Sequence, residues 1–209
     1  MRLCLEARQL ACERDDRPLF GQLDFALGSG DIVQVEGPNG SGKTTLLKIL
    51  SGQLGDYQGE LFWNGVSLRQ NRDHFLANLL YLGHAPGIKA GLTALETLAW
   101  YQALAGDTPS EDTSLEALAQ WGLAGFEDVP AHQLSAGQQR RIALARLLLQ
   151  PRPLWILDEP FTAIDRNGVA LLESLIQAHA NAGGCVVVTT HHRLDIARLG
   201  RIRLGVTGE

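Results

Sequence analysis

Several features are scarce in this chain of 209 residues, and each scarcity excludes a class of protein. Only three cysteines are present, and their odd number and the lack of a C-x-x-C spacing argue against a disulfide framework or a zinc site. We expect Cys4, Cys12 and Cys185 to be inert thiols. No segment approaches the roughly 20 consecutive apolar residues that cross a bilayer, and charges near the start come too early for a signal peptide. These absences predict a cytoplasmic protein.

Runs of basic residues are lacking as well. The 18 Lys and Arg residues are spread along the chain and outnumbered by 23 Asp and Glu, which gives a net charge of −5. Domains that bind nucleic acid concentrate Lys and Arg on one face, so nucleic acid is not an expected partner. With 45% hydrophobic residues, the chain can build one substantial core but is too short for two ordinary domains, which predicts a single domain over residues 1–209.

The most informative stretch is a complete phosphate-binding loop at residues 37–45. An apolar strand at residues 32–35 precedes it, and a helix from Lys43 to Ser51 follows, which is the context that the motif requires. The glycines let successive amide groups face one concavity at the helix N-terminus, where the dipole favours anions. The residues expected to bind ATP here are Gly37, Pro38, Asn39, Gly40, Ser41, Gly42, Lys43, Thr44 and Thr45.

Two side chains of this loop have distinct expected roles. Lys43 would neutralise charge on the β- and γ-phosphates during catalysis, and the Thr44 hydroxyl would be a ligand of Mg²⁺. The alternative interpretation is a glycine-rich turn without a ligand, but the complete pattern seldom arises by chance. ATP and Mg²⁺ are therefore the expected cofactors.

A pair of carboxylates follows the apolar run at residues 154–157. Asp158 is expected to hold Mg²⁺ through water, and Glu159 to orient or deprotonate the water that attacks the γ-phosphate. An Asp-Glu pair by itself is more often a solvated strand end. In a chain that also carries a phosphate-binding loop, the catalytic interpretation is favoured.

The middle of the chain differs in character from both ends. In a strand-rich first third, Asn64-Gly65 between two apolar runs predicts a β-hairpin. Residues 70 to about 150 are predicted to be helical, with a polar loop at residues 107–113. Two capping boxes support the helices, namely Thr93 with Glu96 and Ser135 with Gln138.

The last third returns to strands. Its pattern predicts a strand at residues 154–157, a helix at 166–182 and a strand at 186–190. Because apolar strands that alternate with helices form parallel sheets covered on both faces, we expect an α/β fold. The helical stretch would then be an inserted subdomain of this fold.

Residues 134–140, Leu-Ser-Ala-Gly-Gln-Gln-Arg, resemble the signature motif of ABC-type ATPases. Ser135 is placed to cap a helix whose small first-turn residues leave donors uncovered at the positive helix end. In that family the motif closes over the nucleotide of a second copy, in a head-to-tail dimer that encloses two ATP molecules. The resemblance therefore implies nucleotide contacts from Ser135, Ala136, Gly137 and Gln138.

The remaining motifs follow the family order over almost the entire chain. Asp165 stands where the D-loop of the family contacts the opposite protomer, and His191 stands at the switch histidine. An imidazole there can donate to γ-phosphate oxygens, which implies a catalytic role for His191. The resemblance implies a P-loop NTPase fold of the ABC type, with an antiparallel β subdomain beside the core and the helical subdomain.

Two positions depart from the family pattern. His84 stands where the family usually has a Gln that contacts Mg²⁺ and senses the membrane partner, so His84 is a candidate metal ligand or an acceptor from metal-bound water. Where the family has an aromatic residue that stacks on adenine, this chain has Cys12-Glu13-Arg14, and the guanidinium plane of Arg14 is the candidate for stacking.

Residues 81–89, followed by residues 92–96, are similar to the ATP-binding subunits of cytochrome c maturation systems, the CcmA type. The similarity implies ATP hydrolysis coupled to membrane transport, with haem either exported or released from its chaperone. It also implies a membrane subunit of the CcmB type and further cytochrome c maturation subunits as partners, a second copy of the chain in an ATP-sandwich dimer, and a peripheral location at the cytoplasmic face of the inner membrane.

Other functions remain open at this stage. An ABC transporter for another substrate would share every nucleotide motif. A soluble ABC ATPase of translation would carry two such domains, and one of DNA repair a long coiled-coil insertion, neither of which this chain shows. A P-loop kinase would lack the motif that begins at Leu134.

Overall fold

The structure is a computed structural model that describes residues 3–14, 17–196 and 198–205. Nine strands and six α-helices lie in this part of the chain. The strands are β1 (Leu3–Arg14), β2 (Arg17–Gly28), β3 (Ile32–Glu36), β4 (Gln58–Trp63), β5 (Val66–Ser67), β6 (Leu79–Leu82), β7 (Leu154–Asp158), β8 (Cys185–Thr189) and β9 (Leu199–Arg203). The helices are α1 (Lys43–Leu50), α2 (Arg72–Ala77), α3 (Ala94–Leu104), α4 (Glu111–Gln120), α5 (Ala136–Leu149) and α6 (Arg166–Asn181).

The chain divides into two compact units. The first unit comprises the residues up to 81, residues 152–159 and the residues from 176 onward. The second unit comprises residues 82–151 and 160–175. Helix α2 and most of β6, which fall within the predicted helical stretch, thus belong to the first unit.

The strands form two sheets of different kinds. A four-stranded sheet has the order β2-β1-β4-β5, and its recorded pairings are antiparallel. A five-stranded sheet has the order β6-β7-β8-β3-β9, in which β7–β8, β8–β3 and β3–β9 are parallel pairs. Every residue of β7 and β8 is buried, as expected for parallel strands covered on both faces. The predicted α/β fold with an antiparallel β part is confirmed.

The predicted hairpin is present between β4 and β5. Trp63 pairs with Val66, and the two turn residues Asn64 and Gly65 have φ angles of 49° and 81°. Positive φ at both central positions is the requirement of a two-residue turn that matches the strand twist. The Asn-Gly dipeptide meets it because both residues tolerate the left-handed region.

Helix α1 is anchored in the core of the first unit. Its buried apolar residues pack in one cluster with side chains of both sheets, and two cysteines share that cluster. Cys12 and Cys185 are buried and form no disulfide among the described residues, in line with the expected inert thiols, whereas the side chain of Cys4 lies outside the described residues. The helix residues in the cluster are Leu46, Leu47, Ile49 and Leu50. The start of α1, and with it the loop at residues 37–45, is therefore held by core packing.

Three helices, α3, α4 and α5, pack on one another in the second unit. Both predicted capping boxes are present, with reciprocal side-chain and backbone bonds at the starts of α3 and α5. The predicted loop at residues 107–113 was wrong in its last part, because α4 begins at Glu111. Ser110 caps this helix by accepting from the Thr113 amide, and two acidic residues in the first turn suit the helix dipole.

A histidine of α6 is stacked on a tryptophan of β7 in the first unit. The rings of His179 and Trp155 lie 3.8 Å apart and 6° from parallel. Burial lowers the pKa of His179 from its ordinary value of 6.5 and outweighs the opposing effect of the backbone at Pro153 and Cys185. The folded protein therefore holds a neutral imidazole at this position.

We expect this histidine to make the protein less stable in weak acid. As the pH falls through about 6.5, the unfolded chain binds a proton that folded His179 resists, so stability is lost below that pH. His179→Phe should keep the stacking and reduce the loss of stability between pH 7.5 and 5.5, measured by urea unfolding. His74→Gln, at an exposed histidine of α2, is the control. Equal pH dependence in wild type and His179→Phe would contradict the assignment.

Candidate nucleotide site

The phosphate-binding loop begins α1 without any side-chain cap. Gly42 is the N-cap residue, and its φ of 92° lies in the left-handed region that favours glycine. A Cβ there would also lie 3.1 Å from side-chain atoms of Leu19 and Phe20. Because no side chain caps the first turn of α1 and no acidic residue lies in it, the positive end of the helix is available to an anion.

The floor of the loop is shaped by a close approach at Gly37. A Cβ at this position would lie 2.5 Å from Ser41 Oγ and 2.8 Å from the carbonyl oxygen of Leu204. Ser41 is only 8% exposed, and its hydroxyl oxygen has no hydrogen-bond partner among the described residues. A buried polar atom normally has a partner, so this hydroxyl supports the prediction that the loop holds phosphate oxygens.

The ammonium group of Lys43 is bound to the loop itself. Lys43 Nζ donates to the carbonyl oxygens of Gly37 at 2.7 Å and Pro38 at 3.1 Å. The cation thus sits over the concavity formed by the loop backbone. In the first turn of α1, Thr44 is exposed and Thr45 is half-buried. The exposed outer rim of the loop consists of Pro38, Asn39 and Gly40.

The two predicted carboxylates lie at the carboxyl end of β7, where Thr189 of β8 is paired with Asp158. Asp158 is 1% exposed, and its Oδ1 accepts from the Thr189 hydroxyl at 2.7 Å. The backbone amide of Glu159 donates to the carbonyl oxygen of Thr189 at 3.1 Å and to its hydroxyl oxygen at 2.9 Å. One threonine therefore fixes both acidic residues.

Glu159 has a backbone conformation that costs free energy. Its φ of 49° lies in the left-handed region, which costs a residue with a Cβ roughly 1–2 kcal/mol. The amide hydrogen of Glu159 is shared between the carbonyl and hydroxyl oxygens of Thr189, and this bifurcated hydrogen bond contributes about 1 kcal/mol, which offsets part of that cost. The strain points to a constrained side-chain position, as is common in active sites.

His191, the candidate switch histidine, lies beside the second carboxylate. His191 Nε2 is 3.6 Å from Glu159 Oε1, and the His191 side chain is 73% exposed, against 17% for Glu159. The segment before it is held by two bonds, because Gln34 of β3 donates to the carbonyl oxygen of Thr190 at 3.0 Å and the His192 amide to the Thr190 hydroxyl at 2.9 Å. The structure thus brings Asp158, Glu159 and His191 to neighbouring strand ends.

Two residues at this edge were missed by the sequence reasoning. Thr189 falls in the predicted strand at residues 186–190 and was given no role, although the alignment of two parallel strand ends could have pointed to its contact with Asp158. Tyr81 at the end of β6 was given no role. Burial, and then the charge of Asp158, raise the pKa of Tyr81 to about 12, so its phenol stays neutral.

The signature serine of the second unit caps α5. Ser135 Oγ accepts from the Gln138 amide at 3.2 Å, and Gln138 Oε1 accepts from the Ser135 amide at 2.9 Å. This use leaves the hydroxyl hydrogen of Ser135 and the amide N–H groups of the Gln138 side chain as donors for phosphate oxygens. Ala136 is exposed, which explains how the chain accommodates a methyl group where the family more often has Gly.

The second glycine of the signature is constrained from within its own unit. A Cβ on Gly137 would lie 2.7 Å from the carbonyl oxygen of Ala163, a residue with φ of 62°. Two residues further on, Asp165 Oδ1 accepts from the Gly168 amide at 2.8 Å, and Asp165 Oδ2 lies 3.4 Å from Arg141 Nη2. Asp165 is 56% exposed, so the ion pair contributes at most about 1 kcal/mol. Close packing at Gly137 is the stronger constraint.

His84 is exposed in the loop that follows β6. Its carbonyl oxygen accepts from Arg140 Nη1 at 3.4 Å, and the carbonyl oxygen of Gly83 accepts from the same atom at 2.9 Å. Arg140 was not singled out from the sequence. The candidate residues are thus divided, since the phosphate loop, both carboxylates and His191 belong to the first unit, whereas His84, the signature residues and Asp165 belong to the second.

Comparison with a family model and comparison with individual proteins indicate the same family. The family model described as ABC transporter matches residues 20–162. The chain is 56% identical over 202 residues to the cytochrome c biogenesis ATP-binding export protein CcmA of Hahella chejuensis, covering 96% of this chain and 95% of that protein. The protein of the same name from Escherichia coli strain K12 is 55% identical over 203 residues, with 97% and 96% covered.

Solved structures share the fold. An ATP-binding subunit of an ABC transporter superposes with a TM-score of 0.84 at 23% identity, covering 96% of this chain and 85% of that one. A Pyrococcus furiosus ABC transporter ATP-binding protein gives 0.82 at 26% identity, with 96% of both chains covered. A dimeric ATP-binding cassette in a post-hydrolysis state with ADP and phosphate gives 0.82 at 24% identity, covering 96% and 94%.

We expect Gly137→Ala to impair ATP hydrolysis strongly. The added Cβ meets the Ala163 carbonyl and must displace either the start of α5 or the loop that carries Asp165, and such displacements lower turnover by about ten-fold or more. Ala136→Gly, one residue earlier at an exposed position, is the control and should stay within about two-fold. The prediction is tested by the steady-state ATPase rates of the purified variants. Normal turnover of Gly137→Ala would show that the close approach of the Ala163 carbonyl to residue 137 does not matter for hydrolysis.

Proposed function

This chain belongs to the ABC transporter family and, within it, to the CcmA cytochrome c biogenesis ATP-binding proteins, and from that premise we propose that it is the ATP-hydrolysing subunit of a membrane complex for c-type cytochrome maturation. The observation that carries the catalytic part is the position of Glu159. It is fixed by Thr189 next to a buried aspartate and within 3.6 Å of His191, at the carboxyl ends of neighbouring strands.

We assign the steps of hydrolysis to residues of the first unit. Lys43 exchanges its bonds to loop carbonyls for bonds to β- and γ-phosphate oxygens, where it stabilises the developing charge. Glu159 orients the attacking water and accepts its proton, and His191 donates to a γ-phosphate oxygen. The exposed imidazole next to the carboxylate is suited to detect whether the γ-phosphate is present.

The chemistry of the available donors fits Mg²⁺. Thr44 offers a hydroxyl in the first turn of α1, and Asp158 offers a carboxylate at the end of β7, and both are the oxygen ligands that this ion prefers. When bound, Mg²⁺ would neutralise charge on the β- and γ-phosphate oxygens. His84 offers nitrogen, which Mg²⁺ disfavours, so we do not assign it to direct ligation of the ion.

A second copy of the chain would complete each nucleotide site. The start of α5 presents the Ser135 hydroxyl and the Gln138 amide as donors at a positive helix end, with Ala136 and Gly137 between them as small residues. We assign these donors to the γ-phosphate of the other copy's nucleotide and Asp165 to a contact across the dimer. The dimeric cassette with ADP and phosphate supports this arrangement by analogy of fold.

The transport step requires a membrane subunit. In the described part of the chain, no helix combines the length and the apolar character needed to cross a bilayer. We propose a membrane subunit of the CcmB type as the partner, a peripheral place at the cytoplasmic face of the inner membrane, and contact through residues 84–92. Within the second unit this loop is supported by Tyr101, whose hydroxyl donates to the carbonyl oxygen of Gly87 at 2.7 Å, and Lys89 Nζ lies 4.4 Å from the ring centre of Trp100.

We expect Glu159→Gln to bind ATP but not hydrolyse it. The amide has nearly the same shape but cannot accept the proton, which should lower turnover by about 10²–10⁴-fold. The trapped nucleotide should hold the dimer together, so size-exclusion chromatography with ATP should show a dimer that wild type forms only transiently. Glu116→Gln, at an exposed position of α4, is the control. Normal turnover, or a failure to bind ATP, would count against the role.

Haem delivery is tested by complementation. In a strain that lacks its own copy of this subunit, the wild-type chain should restore covalently bound haem in c-type cytochromes, measured by peroxidase staining of membrane proteins. Lys43→Ala should not restore it, because the cation at the phosphates is lost. Lys48→Ala, at an exposed position of the same helix, should restore it. If the wild-type chain hydrolyses ATP but does not restore haem in the c-type cytochromes, the result would instead indicate a transporter for another substrate.

A further inference from the structure

Two adjacent arginines of α5 hold two different loops of the second unit. Arg140 is 4% exposed, and its guanidinium donates from Nη1 to the carbonyl oxygens of Gly83 and His84, at 2.9 and 3.4 Å. Arg141 Nη2 lies 3.4 Å from Asp165 Oδ2 in the other loop. The first loop carries the residue expected to sense a partner, and the second carries the D-loop aspartate.

The loop after β6 has a second connection to the same helix. The Tyr101 hydroxyl donates to the carbonyl oxygen of Gly87, and the Arg146 guanidinium lies 3.6 Å from the centre of the Tyr101 ring. Gln150 Nε2 donates to the carbonyl oxygen of Tyr101 at 2.9 Å, and Arg146 Nε donates to Gln150 Oε1 at 3.2 Å. The loop at residues 83–87 is therefore connected to α5 at two places, directly at Arg140 and through Tyr101 at Arg146.

These contacts are directional and resistant to small displacements. Arg140 provides a charged donor in a buried position, where the 2.9 Å bond to the carbonyl oxygen of Gly83 is stronger than it would be in water and the 3.4 Å contact with His84 is weak. Burial lowers the pKa of Arg146 to about 10, so its guanidinium stays charged at neutral pH over the aromatic ring. At the start of α5, the Ala163 carbonyl approaches Gly137 too closely to admit a Cβ. A movement of either loop must therefore move the helix or break bonds.

We propose that α5 acts as a rigid connector, with Arg140 and Tyr101 as positioning residues that pass a displacement of the loop at residues 83–87 to Ser135 and Asp165. The proposal rests on the proposed function for what displaces the loop, namely the membrane subunit. It adds the residues through which that contact would reach the donors of the composite nucleotide site. Neither positioning residue touches the nucleotide or the reacting water in this assignment.

Hydrogen exchange in the chain alone tests the connection independently of any partner. Tyr101→Phe removes only the bond to Gly87 and keeps the ring under Arg146. It should accelerate amide exchange by about two-fold or more in residues 83–87 and also at Gln138 and Gln139, at the far end of α5. Arg140→Gln should give the same pattern and Arg140→Lys part of it. Two controls in the first unit should leave both segments unchanged, namely Tyr57→Phe, which removes a tyrosine hydroxyl, and Arg72→Gln, which removes the donor to the carbonyl oxygen of Gly52.

ATPase rates then test the consequence in the membrane complex purified with its transmembrane subunit. Tyr101→Phe and Arg140→Gln should lower the ratio of the rate in the complex to the rate of the chain alone by about five-fold, with the chain alone within about two-fold of wild type. The proposed role of α5 would be overturned if the variants accelerated amide exchange in residues 83–87 alone. It would also be overturned if they lost the same fraction of ATPase activity with and without the membrane subunit. Failure of the proposed function is distinct, since it would appear in the wild-type complementation.

Discussion

The parallel pairing of β7 with β8 is the constraint on which the catalytic edge depends. It sets Thr189 opposite Asp158, so that one hydroxyl donates to the aspartate and accepts from the next backbone amide. A slip of one residue would turn Thr189 to the other face of the sheet and leave a buried carboxylate without this donor. Because both strands are buried along their full length, apolar packing on both faces holds the register that the chemistry needs.

Features with a local cause were predictable from the sequence. The strand, loop and helix around residues 37–45, the hairpin at Asn64-Gly65 and the two capping boxes each depend on residues within a few positions of one another, and each was found where the pattern placed it. The start of α4 was missed although its cause is also local. Ser110 with acidic residues after it is an N-terminal signal that was interpreted as part of a polar loop.

Features that depend on distant pairs could not be read in the same way. The bond between Arg140 and the carbonyl of Gly83 joins residues 57 positions apart, and a carbonyl acceptor leaves no mark in the side-chain pattern. The tight contact between Gly137 and Ala163 is hidden for the same reason, because glycine in a signature motif is already accounted for by the nucleotide. Roles of His84 and Asp165 came from the family resemblance, and their surroundings had to come from the fold.

The left-handed backbone at Glu159 has a consequence for how this position can vary. Replacing Glu159 with glycine would release the local backbone strain. The folded state would therefore become more stable by losing the side chain that hydrolysis requires. Selection for thermal robustness and selection for turnover therefore act in opposite directions at this one site. A lineage relieved of the need to hydrolyse ATP would be expected to lose this glutamate early, while the buried aspartate beside it, held by the core, would persist longer.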